Sequence, residues 1–442
     1  MGIPLPEKVS TRQERIAELA KTMPGTALHS LSRNMDLEWM REAHRRTRKD
    51  GATGVDDQTA ADFGEHLEEN LQALLELAKS GLYRAPPVRR KHLPKGDGKT
   101  RPIGIPTFSD KVLQRAIAML LEPIYEQDFM PLSYGFRPGR SAHDALTALR
   151  TAIWDMGGGW ALDVDVSKFF DTLDHERLRE ILRQRVTDGV VVRLIGKWLN
   201  SGVLEGGVLA HPTAGTPQGG VISPLLANIY LHEVLDAWWV RDVLPRLSGK
   251  ATLIRYADDF VIVFTDLRDA ERVQAVLPQR FARFGLQLHP EKTRRVDFRR
   301  PSRNGKAIAE PGTFDFLGFT HYWALSRAGR WVTKQKTARG RFSRALVRIN
   351  EWCRDNRHKR VVDQAKTLGH KLRGHFQYYG ITGNSRAIGR FRYEVVQTWK
   401  RWLGRRSQRA QLTWEAMNRL LARYPLPAAI AVHSAYRLSA KP

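Results

Sequence analysis

The stretch TLIRYADDFVIVF (residues 252–264) places two apolar runs on either side of Ala257, Asp258 and Asp259. Such runs around a short polar tip predict a tight β-hairpin that carries adjacent carboxylates at its end. Asp favours turns in any protein, so the tetrapeptide YADD alone is also ordinary turn chemistry. A second stretch changes its meaning. In WALDVDVS (residues 160–167), Trp160, Leu162, Val164 and Val166 alternate with Asp163, Asp165 and Ser167, which predicts a strand with one face in a core and carboxylates on the other. A strand-end Asp facing a hairpin-tip Asp pair concentrates negative charge that a cation must offset. Mg²⁺, a hard ion ligated by oxygen, suits these donors and completes its octahedron with water and substrate phosphates. Two such ions would activate a primer 3′-hydroxyl and stabilise a leaving pyrophosphate in an in-line displacement.

The remaining composition narrows the partner. The 442 residues hold 72 Lys+Arg against 46 Asp+Glu, a net charge of +26, and 42% are apolar. Two or three domains are expected. No apolar run approaches the roughly 20 residues that span a bilayer. MGIPLPEKVS has no apolar signal core, and Pro6 stands where a myristoylation motif requires Ser or Thr. A soluble intracellular protein is expected, cytoplasmic and nucleoid-associated in a bacterium, with no membrane partner. The single cysteine, Cys353, leaves no internal disulfide and no paired thiols for a zinc site. Residues 321–410 carry 23 Lys/Arg and 4 Asp/Glu, so +19 of the +26 lies in a fifth of the chain. These cations alternate with Trp323, Trp331, Trp352, Phe376, Tyr378, Tyr379, Tyr393, Trp399 and Trp402. That mixture suits nucleic acid, whose phosphates take the charge and whose bases stack on rings. A solvated helical surface is the plainer alternative, and part of the aromatic set belongs to core.

Local patterns give an order of elements. Residues 12–77 read as amphipathic helices broken at KDGATGVDD, with Leu67, Leu71, Leu74 and Leu75 at helical spacing. YRAPPVRRKHLPKGDGKTRPIGIP reads as a basic β-hairpin with KGDGK at its tip. Helical period returns over residues 111–129, and Ser141 is placed to cap the next helix. Strand signals fade after about Ala324, where amphipathic helices with basic faces take over. Mixed helices and separated strands indicate an α+β or α/β fold.

The motifs now in hand carry a resemblance. From the GATGVD turn through LPKGDGKTRPIGIP, SYGFRPGRSAHDAL, DVSKFFDTLDH, TPQGGVISPLLANIYL, RYADD, LHPEKT and FLGF to RGHFQYYGITGN, the chain resembles a group II intron-encoded reverse transcriptase/maturase over nearly its whole length. The resemblance implies an α+β right-hand polymerase. Residues 1–85 would be a helical extension and the start of the fingers, and 86–323 fingers and palm. Residues 324–425 would form a helical thumb that doubles as the RNA-binding maturase domain, with 426–442 a short tail. The function implied is RNA-directed DNA polymerisation, with binding of intron RNA, assistance to its splicing and copying into DNA for retrohoming. Partners would be group II intron RNA, an RNA template, a DNA primer or target DNA, and dNTPs; a homodimer is compatible with the sequence.

The same resemblance implies roles residue by residue. Asp165, Asp258 and Asp259 would hold two Mg²⁺ ions, with the Val166 carbonyl as a further ligand and Asp163 a bystander. Lys95 and Arg101 would clamp the incoming triphosphate, unless they contact the template backbone. Phe170 would stack under the sugar and exclude a 2′-hydroxyl, although strict strand alternation would give the carboxylate face to Phe169. Gln218 and Gly219, in a loop opening a helix over residues 223–235, would approach a base pair or nucleotide, or simply cap that helix. Lys292 would protonate the leaving pyrophosphate or be a surface lysine. Residues 316–319 would grip the primer strand or pack in a core. Arg373, Tyr378, Arg401, Arg405 and Arg406 would contact RNA. Two other readings stand beside this one: a domesticated or defence-associated (retron- or CRISPR-linked) reverse transcriptase without splicing, and a splicing-only RNA-binding maturase. No Cys/His cluster suggests the C-terminal nuclease that many family members carry, so priming from a pre-existing 3′ end or a strand supplied in trans is expected.

Overall fold

The computed structural model describes residues 8–94, 100–210, 215, 219–301, 312–326, 328–406 and 412–433. It mixes helices and sheets. Its strands, numbered along the chain, are β1 (Val88–Pro94), β2 (Thr100–Ile105), β3 (Gly158–Ser167), β4 (Val203–Glu205), β5 (Val208–Ala210), β6 (Ala251–Tyr256), β7 (Asp259–Phe264), β8 (Gln287–Leu288), β9 (Arg294–Arg299), β10 (Phe314–Phe316), β11 (Phe319–Leu325) and β12 (Trp331–Thr337). Two compact units emerge, one of Met1–Ala145 with Val164–Arg294 and one of Leu146–Asp163 with Arg295–Pro442.

In the first unit, helices Val9–Thr22 and Leu37–Arg46 lie against Phe108–Asp128. That long helix is apolar around most of its circumference, with Val112, Leu113, Ala116, Ile117, Leu120, Leu121 and Ile124 wholly buried, which marks it as central rather than surface. Thr107 caps its start by accepting a hydrogen bond from the Asp110 N–H. β1 and β2 form the expected basic hairpin, antiparallel with Pro94 opposite Thr100; its KGDGK tip lies outside the described residues. β4 pairs in parallel with β1 and continues into β5.

The sheet that carries the carboxylates has the order β6-β7-β3-β8. β7 is buried along nearly its whole length, which explains its unbroken apolar run: a central strand needs apolar side chains on both faces. β3 ends where Lys168 enters the left-handed region (φ 45°) and starts the one-turn helix Phe169–Thr172. The helix expected over residues 223–235 is α-helical only through Leu231; His232–Ala237 and Trp239–Val243 widen into π-helical turns. That widening accompanies the burial of a charged residue, Asp236, the kind of local departure found at functional positions.

In the second unit β9 pairs with β3, and β10-β11-β12 form an antiparallel sheet. β12 (WVTKQKT) forms where strand signals were expected to fade, and residue 324 falls inside β11. Lys, Gln and Thr dominate β12, so it lacks the alternating apolar signature although Gln335 and Thr337 are buried. Helices Arg339–Asp355, Val361–Tyr379, Ser385–Leu403 and Trp414–Arg423 then enclose a core that includes Ile349, Leu368, Leu372, Ile388, Phe391, Val395, Trp399 and Met417. Trp323, Phe376 and Trp399, three of the rings interleaved with the basic residues, are core, whereas Tyr393 is 59% exposed. Cys353 is wholly buried there, and burial pushes its thiol up to about 12. Among the described residues no helix is long and apolar enough to cross a membrane.

Candidate active site

The turn between β6 and β7 is as short as expected, with Tyr256 opposite Asp259. Ala257 sits in the left-handed region (φ 57°), which a residue with a Cβ adopts only when its surroundings compel it. The compulsion comes from Arg255. Its wholly buried guanidinium donates from Nη1 to the Ala257 carbonyl (3.1 Å) and to Asn228 Oδ1 (2.9 Å), from Nε to Asp236 Oδ1 (2.7 Å), and from Nη2 to Asp236 Oδ2. Asn228 Nδ2 in turn donates to the Gly135 carbonyl (2.6 Å). The Arg255 N–H donates to Leu132 and its carbonyl accepts from Tyr134, both at 2.9 Å. A Cβ on Gly135 would lie 2.3 Å from the Ala257 nitrogen, so only glycine permits this approach. SYGF, SPLLAN and RYADD, far apart in sequence, thus meet under the carboxylate turn. Arg255 and Asp236 were not singled out from sequence; the signal available was a charge inside an otherwise apolar strand.

Asp165 faces away from the core at the end of β3, with Lys292 Nζ 2.6 Å from its Oδ2. The His289 N–H donates to the Asp165 carbonyl (2.7 Å) and the Thr293 N–H to the His289 carbonyl (2.9 Å), so the HPEKT turn is pinned to this strand end. Asp258 is half-buried. Burial pushes its carboxyl up, the charge of Asp165 pushes it further, and its own N–H, Arg101 and Arg255 pull it down. Asp165, Asp258, Lys292 and the exposed Arg101 of β2 therefore share one electrostatic neighbourhood. Asp259 opens β7 beside them, and Val166 buries its side chain opposite Leu288. Among the described residues no three His, Cys, Asp or Glu side chains converge into a ready-made metal cluster. The donors are nevertheless all hard oxygens, and the mutual repulsion felt by Asp258 is what a divalent cation relieves.

Because Lys168 breaks the strand, the two phenylalanines after it part company. Phe169 is 2% exposed and packs edge-on against Phe170 at 5.3 Å, while Phe170 is half-exposed. Gly215 anchors the following loop: its N–H donates to the Leu173 carbonyl (2.8 Å) and its own carbonyl meets His175 Nε2 (2.5 Å). Gly219 (φ 124°) backs onto β2, where a Cβ would meet the Gly104 carbonyl oxygen at 2.5 Å. Lys95 and Gln218 lie outside the described residues.

A second buried network supports the loop that carries Gly219. Asp110 accepts from the Tyr83 hydroxyl (2.5 Å), Trp198 Nε1 (2.6 Å) and Gln114 Nε2 (3.1 Å), while Gln114 Oε1 accepts from the N–H groups of Val221 (2.8 Å) and Ile222 (3.3 Å). Burial pushes Asp110 up to about 6 against these donors. Sequence reading did not find this relay, since no motif links residues 83, 110, 114 and 198.

In the second unit, the β10-β11 turn puts Leu317 and Gly318 at positive φ and buries Phe316 and Phe319. Tyr378 is committed to that turn: its hydroxyl donates to the Leu317 carbonyl (2.8 Å) and its ring stacks on Phe319 at 5.7 Å. Arg373 and Arg401 are exposed. Arg405 lies over the Trp402 ring (5.1 Å), and Arg406 donates to the carbonyls of Arg357 (2.6 Å) and Lys359.

Comparison with known proteins agrees with this arrangement. Residues 93–321, just over half of the chain, match the family described as reverse transcriptase (RNA-dependent DNA polymerase). Protein YkfC of Escherichia coli is 36% identical over 289 residues, covering 58% of this chain and 75% of that protein. The group II intron-encoded protein LtrA of Lactococcus lactis is 43% identical over 183 residues, 41% of this chain and 30% of LtrA. A putative COX1/OXI3 intron 1 protein of Saccharomyces cerevisiae is 32% identical over 377 residues, 72% of this chain and 42% of the yeast protein. Since the family match runs from the basic hairpin through the carboxylate turn, the stretch in which the geometry above is concentrated, the chain belongs to the reverse transcriptase family and is an RNA-directed DNA polymerase.

Proposed function

We propose that this protein binds a group II intron RNA, assists its splicing and copies it into DNA for retrohoming. The observation that carries the polymerase half is the electrostatic neighbourhood of Asp165, Asp258 and Arg101 above the buried Arg255 framework. Asp165, Asp258 and Asp259, with the Val166 carbonyl, would hold two Mg²⁺ ions; when bound, these supply Lewis-acid activation of the primer hydroxyl and charge neutralisation on the phosphates. The chain's own residues do the rest. Arg101, with Lys95, grips the triphosphate by charge-assisted hydrogen bonds. Phe170 bears on the sugar, and Gly219 lets the loop backbone approach the nascent pair. Lys292 is an ammonium already poised beside Asp165, able to give a proton to the departing pyrophosphate.

For the RNA half, residues 86–323 serve as fingers and palm and residues 324–425 as the thumb and maturase surface, with Arg373, Arg401, Arg405 and Arg406 on phosphates. The charge of residues 321–410 supports this, and the names of the intron-encoded relatives point the same way. The test is to purify the protein from its host and sequence the RNA that accompanies it. A ribozyme-like intron whose self-splicing the protein accelerates is the expected result; a short structured non-coding RNA would overturn the intron assignment while leaving the polymerase intact.

A further inference from the structure

A cleft of about 880 Å³ lies within the second unit, and none of the individual site residues named above is among the described residues that line it. Arg150 and Trp154, one helical turn apart, form one wall; Val332 and Lys334 of β12 form another, and the Thr382-Gly383 turn closes the end. Among the described residues no Asp or Glu lines it. Arg150 has no ion-pair partner among the described residues, and Lys334 Nζ donates only to the Leu325 carbonyl (3.2 Å). Among the described residues, then, no carboxylate compensates the cationic charge in the cleft.

The ring sharpens what that charge is for. Trp154 is 46% exposed. The Arg300 guanidinium lies over it at 5.1 Å from the centroid and is itself steadied by donating from Nη2 to the Trp331 carbonyl (3.1 Å). One face of the indole is thus clasped by a cation while much of the ring remains open. A single exposed aromatic is common on any surface. One that is backed by a guanidinium and set beside cations with no carboxylate partner among the described residues has the parts of a base-stacking platform. Nothing within 4 Å would meet a Cβ on Gly383, so the closing turn leaves room for a ligand's backbone.

We propose that this cleft binds an unpaired nucleotide of single-stranded RNA or DNA, with its base stacked on the open face of Trp154 and its phosphates held by Arg150 and Lys334. A phosphorylated peptide would satisfy the cations but leave the ring unused. A duplex hides its base faces, so the site discriminates in favour of unpaired strands. The site needs only a single strand and does not depend on that strand being an intron.

The experiment uses the full chain and a labelled ten-residue oligouridine containing 4-thiouridine, read by anisotropy and by mass-spectrometric mapping of photo-cross-links. The parent should cross-link at the peptide carrying residues 150–154, and a fully paired duplex should not compete. Trp154→Ala should lose that cross-link and weaken binding about 10-fold, the scale of one lost stacking contact. Trp154→Phe should stay within about threefold of the parent, and Arg150→Ala should lower the log affinity against log salt slope by about 0.7. Trp154 is exposed, so circular dichroism should report all variants as folded. Parent-like binding by Trp154→Ala without a cross-link at 150–154, an equal loss in Trp154→Phe, or effective competition by duplex would each overturn the proposal. Co-purification of an RNA other than an intron would overturn the intron assignment and leave this site standing, since the oligouridine cross-link at residues 150–154 reads the cleft alone.

Discussion

Arg255 and Asp236, 19 residues apart and both wholly buried, are joined by two parallel hydrogen bonds directly beneath the turn that carries Asp258 and Asp259. The same guanidinium holds the Ala257 carbonyl at 3.1 Å. Asp236 therefore bears on the carboxylate turn through Arg255, by setting where the turn's peptide groups point.

Replacing Asp236 by Asn should lower stability, since breaking a buried pair costs about 3–5 kcal/mol at full effect. It should also raise the Mg²⁺ concentration needed for half-maximal primer extension. The double change Asp236→Leu with Arg255→Met should recover much of the stability but not the Mg²⁺ dependence. A double variant that regains both would reduce the pair to a structural role.

Asp258→Asn and Asp165→Asn should each reduce DNA primer extension on an RNA template by several orders of magnitude, while RNA affinity stays near the parent value. Single-turnover extension beside a filter-binding titration separates the two. Parent-like copying by Asp258→Asn would remove it from the catalytic set.

Phe170→Val should raise ribonucleotide incorporation relative to deoxyribonucleotide incorporation, because the half-exposed ring is the one free to face a sugar. Phe169→Ala, at a core position, should cost roughly 3–5 kcal/mol of stability with little change in sugar choice. Competition assays with matched ribo- and deoxyribonucleotides, alongside thermal melts, measure both; swapped phenotypes would move the gate to Phe169.

Gln114→Ala removes the acceptor that fixes the N–H groups of Val221 and Ile222. The expected result is a several-fold rise in KM for dNTPs with a smaller change in kcat, as the loop carrying Gly219 loosens. An unchanged KM would detach this relay from substrate binding.

Acid should weaken the second unit. Burial holds His321 at about 3 and His375 at about 4, below the ordinary value of about 6.5. Between those values the unfolded chain binds more protons, so stability falls as pH drops from about 6.5 towards 4. At about 1.4 kcal/mol per unit, His375 alone accounts for about 3 kcal/mol over that range. Urea denaturation at pH 7, 5.5 and 4.5 should show the loss, and His375→Phe, which keeps a ring against Phe391, should flatten it.

The carboxylate hairpin and strand were legible because both obey simple periodic rules: alternation around Asp165, and an unbroken apolar run in β7. What stayed hidden depended on longer range. Strand alternation alone points to Phe169 and only the resemblance chooses Phe170, because the choice turns on a break after one residue, Lys168, whose left-handed backbone its side chain does not announce. β12 escaped because its stabilising partners lie across the sheet rather than along the strand. The π-helical turns after Leu231 and the pairing of Asp236 with Arg255 follow from packing between segments. Aromatic rings in the basic region looked like stacking surfaces, yet Trp399 is wholly buried and donates from Nε1 to Gln364 (2.9 Å); composition alone does not tell a core ring from a binding ring.

Cys353, the only thiol in the sequence, is sealed among the helices with its ionisation pushed up to about 12. Thiolate is the reactive form, so the folded protein is effectively silent towards maleimides and other thiol-directed dyes. A single cysteine introduced at an exposed position would be labelled selectively without deleting any native residue elsewhere. That makes the natural sequence a ready background for fluorescence or spin-label distance measurements during copying, and it predicts that labelling of Cys353 itself will track unfolding.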